Sequence, residues 1–151
     1  MNGICHRDIN PNNIIISADA DNKMKMSLID FNVSKRFNST KFANPILMMT
    51  NTGTPMYQAP EMLEGAEQYY DEKIDIWSAG AVLYFMITGL HAFQRETCAD
   101  IEAAILKGDF DVNQNSYIIQ DENLKALVSG LLQKDIPYRL TASQALQMKW
   151  F

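Results

Sequence analysis

The chain has 151 residues, 47% hydrophobic and 21% charged, proportions that suit one packed domain and exclude wholesale disorder. Its net charge of −5 argues against a nucleic-acid binder. The longest nearly apolar run, Ile76 to Leu90, falls short of the ~20 residues that a membrane-spanning helix needs.

The opening MNGICHRDIN lacks the apolar stretch of a signal peptide. Cys5 and Cys98 cannot build a disulfide framework, so they read as free thiols in a reducing compartment. The expected location is intracellular and cytoplasmic, with the nucleus left open. Charge is uneven along the chain: residues 1–50 carry 6 basic and 4 acidic side chains, residues 51–151 carry 7 and 14. Such asymmetry could seat an anionic ligand beside an acidic platform, but ordinary surface charge is the better account of it.

In chain order, Asn13 to Ile16 is a short apolar run after a Pro-Asn-Asn turn and predicts a buried strand. Ser17 to Lys23 is turn-like, and Met24, Met26 and Leu28 then alternate with Lys25, Ser27 and Ile29, so a small hairpin is expected. Asp30 to Gln58 has no sustained period and reads as a long loop. From Asp75 onward the pattern is helical. Asp75 and Gly89 suit the N-cap and C-cap of a helix that is apolar on nearly every face, and such a helix belongs at the centre of the domain. Thr97 and Asp100 predict the start of a helix that ends at Gly108. Leu124, Leu127, Val128, Leu131 and Leu132 form an amphipathic stripe, and Thr141 with Gln144 fits a capping box. The expected fold is mostly α with a small β-hairpin region near the start.

Five segments carry residues suited to chemistry: HRDINPNN (His6–Asn13), LIDFN (Leu28–Asn32), GTPMYQAPE (Gly53–Glu61), DIWSAG (Asp75–Gly80) and PYRLTASQAL (Pro137–Leu146). Each alone has a bland explanation, such as a turn, a strand-terminating carboxylate or a capped helix. Their order and close spacing do not. Together they resemble the eukaryotic protein kinases, whose catalytic loop reads H-R-D-x-x-x-x-N, whose metal-binding turn reads D-F-G and whose activation segment ends A-P-E. The GTPxYxAPE form is similar to the serine/threonine branch. The ending RLTASQALQMKWF and the stretch Ile105 to Phe110 are similar to the calmodulin-dependent and calcium-dependent group.

The resemblance implies an ATP-dependent serine/threonine protein kinase using Mg²⁺, with protein hydroxyls as substrate and neither nucleic acid nor membrane as partner. Asp8 would orient the target hydroxyl and take its proton, with Asn10 and Thr54 beside it. Asn13 and Asp30 would hold the metal as hard oxygen ligands. Asn12 and Ile15 complete the nucleotide side, Ile15 as the floor under the adenine, with Val82 and Met86 packed beneath it. Thr50 resembles a regulatory phosphosite that would face Arg7 and Lys35, with Thr52 or Ser39 the alternative carrier of any modification. His6, Phe31, Glu61, Asp75 and Arg139 take structural roles: His6 and Phe31 in a hydrophobic spine, Glu61 with Arg139 as a buried ion pair, and Asp75 bonded to the catalytic-loop backbone.

Three positions depart from the family pattern. Asn10 replaces a lysine that neutralises phosphate charge, Asn32 replaces the D-F-G glycine, and Asn12 replaces an acidic residue that reads basic substrates. The Gly-rich loop, the Val-Ala-Ile-Lys strand and its partner glutamate would all precede the catalytic loop. Residues 1–151 therefore read as a partial protein kinase domain, the C-terminal lobe with the N-terminal lobe missing, and inactive alone. The alternative is a catalytically silent kinase-like lobe that binds a protein partner. A calcium loop starting at Asp19 is rejected, because Lys23 and Met24 occupy positions that need a ligand and a glycine.

Overall fold

The computed structural model describes residues 3–36, 55–64, 71–110 and 120–151. Among them lie four short strands, β1 (Ile4–Cys5), β2 (Ile14–Ala18), β3 (Met24–Leu28) and β4 (Lys35–Arg36). Five helices follow: α1 (Pro60–Leu63), α2 (Lys73–Thr88), α3 (Cys98–Lys107), α4 (Glu122–Leu131) and α5 (Ala142–Ala145). The mostly helical architecture with a leading hairpin matches the expectation.

β2 and β3 pair antiparallel, from Ile14 opposite Leu28 to Ala18 opposite Met24. Their turn is built by Asp19, whose Oδ1 accepts the backbone N–H groups of Asp21 at 3.0 Å and Lys23 at 2.8 Å. Asp19 thus closes a turn, the work that the rejected calcium loop would have denied it. Side chains alternate across the ribbon, so Ile14, Ile16, Met26 and Leu28 share one face and Ile15 with Ser27 the other. β1 pairs with β4, placing Cys5 opposite Lys35. That ribbon was not expected: two-residue strands carry no period, and β4 lies in the segment read as loop.

α2 is the hub. Ile74, Trp77, Ser78, Gly80, Ala81, Val82 and Tyr84 are buried along it, and Gly89 ends it at φ +70°. The helix begins at Lys73, so Asp75 lies inside its first turn and is not its N-cap. α4 crosses α2 at Gly80, where an added Cβ would stand 2.8 Å from the Leu131 Cβ. Only glycine permits that approach. α4 buries Leu124, Leu127, Val128 and Leu131 as the stripe predicts. Thr97 caps α3, which stops at Gly108 with φ +65°. Thr141 and Gln144 form the reciprocal box of α5. In the core, Trp77 stacks on Phe93 with centroids 5.3 Å apart.

Between the hairpin and the helices runs an apolar groove of about 500 Å³, lined by Ile14, Leu28, Val82, Met86, Leu131 and Phe151 among others. Val82 is buried but Met86 is 61% exposed. Both line the groove on the Ile14 face of the ribbon, opposite the face that carries Ile15, and Met86 is left largely uncovered there. No helix among the described residues is long and apolar enough to cross a membrane.

Candidate active site

Residues 6–13 are held from below by α2. The Asp75 carboxylate accepts the backbone N–H of His6 at 2.7 Å through Oδ2 and that of Arg7 at 2.8 Å through Oδ1. Arg7 takes φ +71°, a left-handed conformation that a non-glycine residue adopts at a cost. The two bonds to Asp75 help pin it there. Burial first, then the neighbouring Asp75 carboxylate, pushes the Cys5 thiol far above its ordinary pKa. The resemblance expects Asp75 at the catalytic-loop backbone; its carboxylate bonds the backbone N–H groups of His6 and Arg7.

The His6 ring ties this loop to the strand beyond it. Its Nε2 bonds the Ile29 carbonyl at 3.0 Å, and the Asp8 N–H donates to its Nδ1 at 3.3 Å. Neutral imidazole with its proton on Nε2 satisfies both bonds. Phe31 meets the His6 ring edge-on at 4.7 Å. His6 is buried as expected, but Phe31 is 53% exposed. Phe31 is therefore not core: it follows the end of β3 and keeps more than half of its surface exposed beside the His6 ring.

Asp8 is the centre of a polar cluster. Its Oδ1 accepts from Asn10 Nδ2 at 2.9 Å and its Oδ2 from Asn13 Nδ2 at 2.9 Å. The same two amides also reach its backbone carbonyl, at 3.2 Å and 2.8 Å. Asn10 and Asn13 are buried. Sequence order alone made Asn10 a substitute for a lysine; its grip on Asp8 was not foreseen, although an Asn-Pro pair is a recognisable start signal for a helical turn.

Asn13 closes the 3-10 turn Pro11–Asn13 and stands where β2 begins. The Ile29 N–H donates to its carbonyl at 3.0 Å, which extends the ribbon by one pair and brings Asp30 to the same end. Asp30 is exposed, with φ +62°. The Asn32 N–H folds back to its Oδ1 at 3.3 Å. Asn32 itself has no positive φ, so replacing the family's glycine adds no left-handed strain in this turn. Asn13 commits its amide nitrogen to Asp8, which leaves Oδ1 as the end available to a cation. An amide oxygen and an exposed carboxylate are hard ligands. Among the described residues no three His, Cys, Asp or Glu side chains form a metal cage. That donor set fits Mg²⁺, which takes one or two protein ligands and completes its shell with phosphate and water.

Ile15 is 48% exposed on the ribbon face away from the groove, and Asn12 is exposed. Arg7 donates through Nε to the Val33 carbonyl, and Lys35 sits in β4 opposite Cys5. Thr50 and Thr54 lie outside the described residues. Away from this cluster, Glu61 and Arg139 form a bidentate pair at 2.6 Å and 3.0 Å, both side chains buried.

The protein kinase domain family model matches residues 1–151. Calcium-dependent protein kinase 16 of Oryza sativa subsp. japonica is 36% identical over 148 residues, 98% of this chain and 25% of the relative. Calcium-dependent protein kinase 3 of Plasmodium berghei (strain Anka) is 34% identical over 151 residues, 100% of this chain and 26% of the relative. Calcium/calmodulin-dependent protein kinase type 1 of Macrobrachium nipponense is 36% identical over 149 residues, 98% of this chain and 40% of the relative. The chain thus spans between a quarter and two-fifths of the length of these relatives. With the family model matching from end to end, the chain belongs to the protein kinase domain family.

Proposed function

We propose that residues 1–151 are the catalytic-loop and helical part, the C-terminal lobe, of an ATP-dependent serine/threonine protein kinase acting on protein hydroxyls in the cytoplasm. The observation that carries this reading is the Asp8 carboxylate, each oxygen fixed by one amide, at the ribbon end that also carries Asn13 and Asp30.

A carboxylate oxygen has capacity for more than one hydrogen bond, so Asp8 can accept a third partner. In the proposed reaction that partner is the target hydroxyl. Its oxygen bonds to the γ-phosphorus, the bond from phosphorus to the departing ADP oxygen breaks, and the hydroxyl proton passes to Asp8. Asn13 and Asp30 would hold Mg²⁺, which when bound neutralises phosphate charge. Ile15 supplies apolar area for the adenine. By family resemblance, Thr54 would support Asp8. A phosphate on Thr50 would carry about −1.5 to −2 charges toward Arg7 and Lys35, which the β1–β4 pairing keeps close along the backbone.

The 151 residues contain no G-x-G-x-x-G run, so nothing here cradles the phosphates from above. Transfer by these residues alone should stay at background, since catalysis of this kind is mainly positioning. The test is a chimera in which the family's Gly-rich loop, strand lysine and partner glutamate precede the chain, assayed with ATP, Mg²⁺ and a generic protein substrate. Asp8→Ala should lower turnover by roughly 10²–10⁴-fold, and Asp30→Ala should weaken metal-dependent nucleotide binding as well. Equal rates for the wild type and Asp8→Ala would remove the general-base role.

A further inference from the structure

Asn10 does two things with one side chain. Its Nδ2 donates to Asp8 Oδ1 at 2.9 Å, and its Oδ1 accepts the Asn12 N–H at 3.0 Å. The second bond makes it the N-cap of the Pro11–Asn13 turn, with extended φ −153° and ψ 166° and proline in the first turn position. That turn delivers Asn13, whose Nδ2 holds the other carboxylate oxygen. We propose that Asn10 is the positioning residue of Asp8: one buried amide orients the proposed base directly and, by capping the turn, also sets the second amide that orients it. This rests on the reading of Asp8 as the general base.

The physical case is one of degrees of freedom. The terminal torsion of an aspartate is broad and roughly two-fold. One amide on Oδ2 lets χ1 and the terminal torsion turn together about that single bond, whereas a donor on each oxygen holds both torsions, so loss of one donor frees the χ1 rotamer as well. Asn10 is 5% exposed, so water does not readily replace its bond. Lysine, the residue that the family pattern would place here, has three donors and no acceptor. It could approach Asp8 but could not accept the Asn12 N–H, and the turn would lose its cap. Restoring the family's lysine should therefore harm this site rather than improve it.

Two variants separate the clamp from the cap. Asn10→Ser and Asn10→Asp both retain good N-cap acceptors, but serine is short and ionised aspartate has no donor. On isotope-labelled 151-residue chain, NMR couplings report the Asp8 χ1 rotamer, and the Asn12 amide reports the cap. The wild type should show one Asp8 rotamer. Both capping variants should leave the Asn12 amide close to its wild-type position while Asp8 becomes rotamer-averaged, and Asn10→Lys should disturb both. In the chimera, Asn10→Ser should lower kcat by on the order of tenfold to a hundredfold with KM for ATP unchanged. A single Asp8 rotamer in both capping variants overturns the proposal. So does failure of both to fold, which would make Asn10 a structural residue only. No transfer from the chimera, with Asp8 still held in the wild type and released in Asn10→Ser, would remove the general-base reading and leave the clamp established.

Discussion

Two charged groups in this protein are held in opposite ways. Arg139 is saturated: Nε donates to the Gln133 carbonyl, Nη1 to Glu61 and the Lys73 carbonyl, and Nη2 to Glu61 and the Lys134 carbonyl. Its guanidinium also lies 5.0 Å over the Trp77 ring. The five donors are all used, and the side chain has no exposed surface. Asp8 is only half-buried, and each of its oxygens takes one amide. The first arrangement leaves no capacity for another partner. The second fixes an orientation and keeps capacity open. Saturation marks a joint of the fold; restrained incompleteness is what the proposed base role of Asp8 needs.

The largest effect should come from breaking the saturated group. Glu61→Ala strands a buried guanidinium, and removal of one partner from such a pair typically costs about 3–5 kcal/mol. Urea denaturation should register most of that loss. A cost below ~1 kcal/mol, the level of an exposed pair, would break the contrast, because Arg139 would then be no more critical than a surface charge. Asp8→Asn, tested the same way, should change stability far less.

Asp75→Ala sharpens the contrast by attacking the link between the two regions. It frees the His6 and Arg7 N–H groups and leaves the left-handed Arg7 without its clamp. Each stranded donor costs about 1–3 kcal/mol when buried. Hydrogen exchange should quicken first at His6 to Asp8, before the α2–α4 packing loosens. Uniform loosening of the whole chain would mean that the catalytic loop and the helices are one cooperative unit.

These regions were unequally legible in the sequence. The helix ends at Gly89 and Gly108 and the caps at Thr97 and Thr141 rest on local bonds within four residues, so local composition reveals them. Asp75 shows the limit of that reasoning. An acidic residue ahead of an apolar run looks like an N-cap, but its partners lie 68 and 69 residues away. β1 and β4 pair across the fold for only two residues each, too few for any period. Phe31 and Met86 look like core by type, yet both are more than half exposed, because burial depends on what packs against them. At the site, the family resemblance groups Asp8, Asn13 and Asp30, while the bond from Asn10 to Asp8 needed geometry: no pattern says where an amide nitrogen points.

A smaller effect tests the local devices of the helical region. Thr141→Ala removes the bond from the Gln144 N–H to Thr141 Oγ1, one half of the α5 box. The bond from the Thr141 N–H to Gln144 Oε1 survives. The expected loss is about 0.5–2 kcal/mol, and Gln144→Ala should lose the complementary half. Because the two halves share one turn, the double variant should cost less than the sum of the singles. Strict additivity would show that the two bonds act independently.

The gentlest test uses the two thiols as reporters of the two regions. Cys98 is exposed at the start of α3, whereas Cys5 is buried in β1, just ahead of the loop that carries Asp8. The thiolate is the reactive form, so iodoacetamide should modify Cys98 promptly and Cys5 only when the loop opens; peptide mass spectrometry separates the two. Burial and the Asp75 carboxylate both raise the Cys5 pKa in the folded chain. In the unfolded chain the thiol ionises in its ordinary range near ~8.5. Below that range the thiol is protonated in both states and costs nothing. As pH rises through it, only the unfolded chain releases the proton, so stability falls. Cys5→Ala should flatten that alkaline decline even if it lowers stability at neutral pH through lost packing. Asp75→Ala should speed Cys5 labelling while leaving Cys98 unchanged. Equal labelling rates for the two thiols in the folded wild type would show that the loop over Cys5 opens freely, and the claim that Asp75 holds it shut would fall.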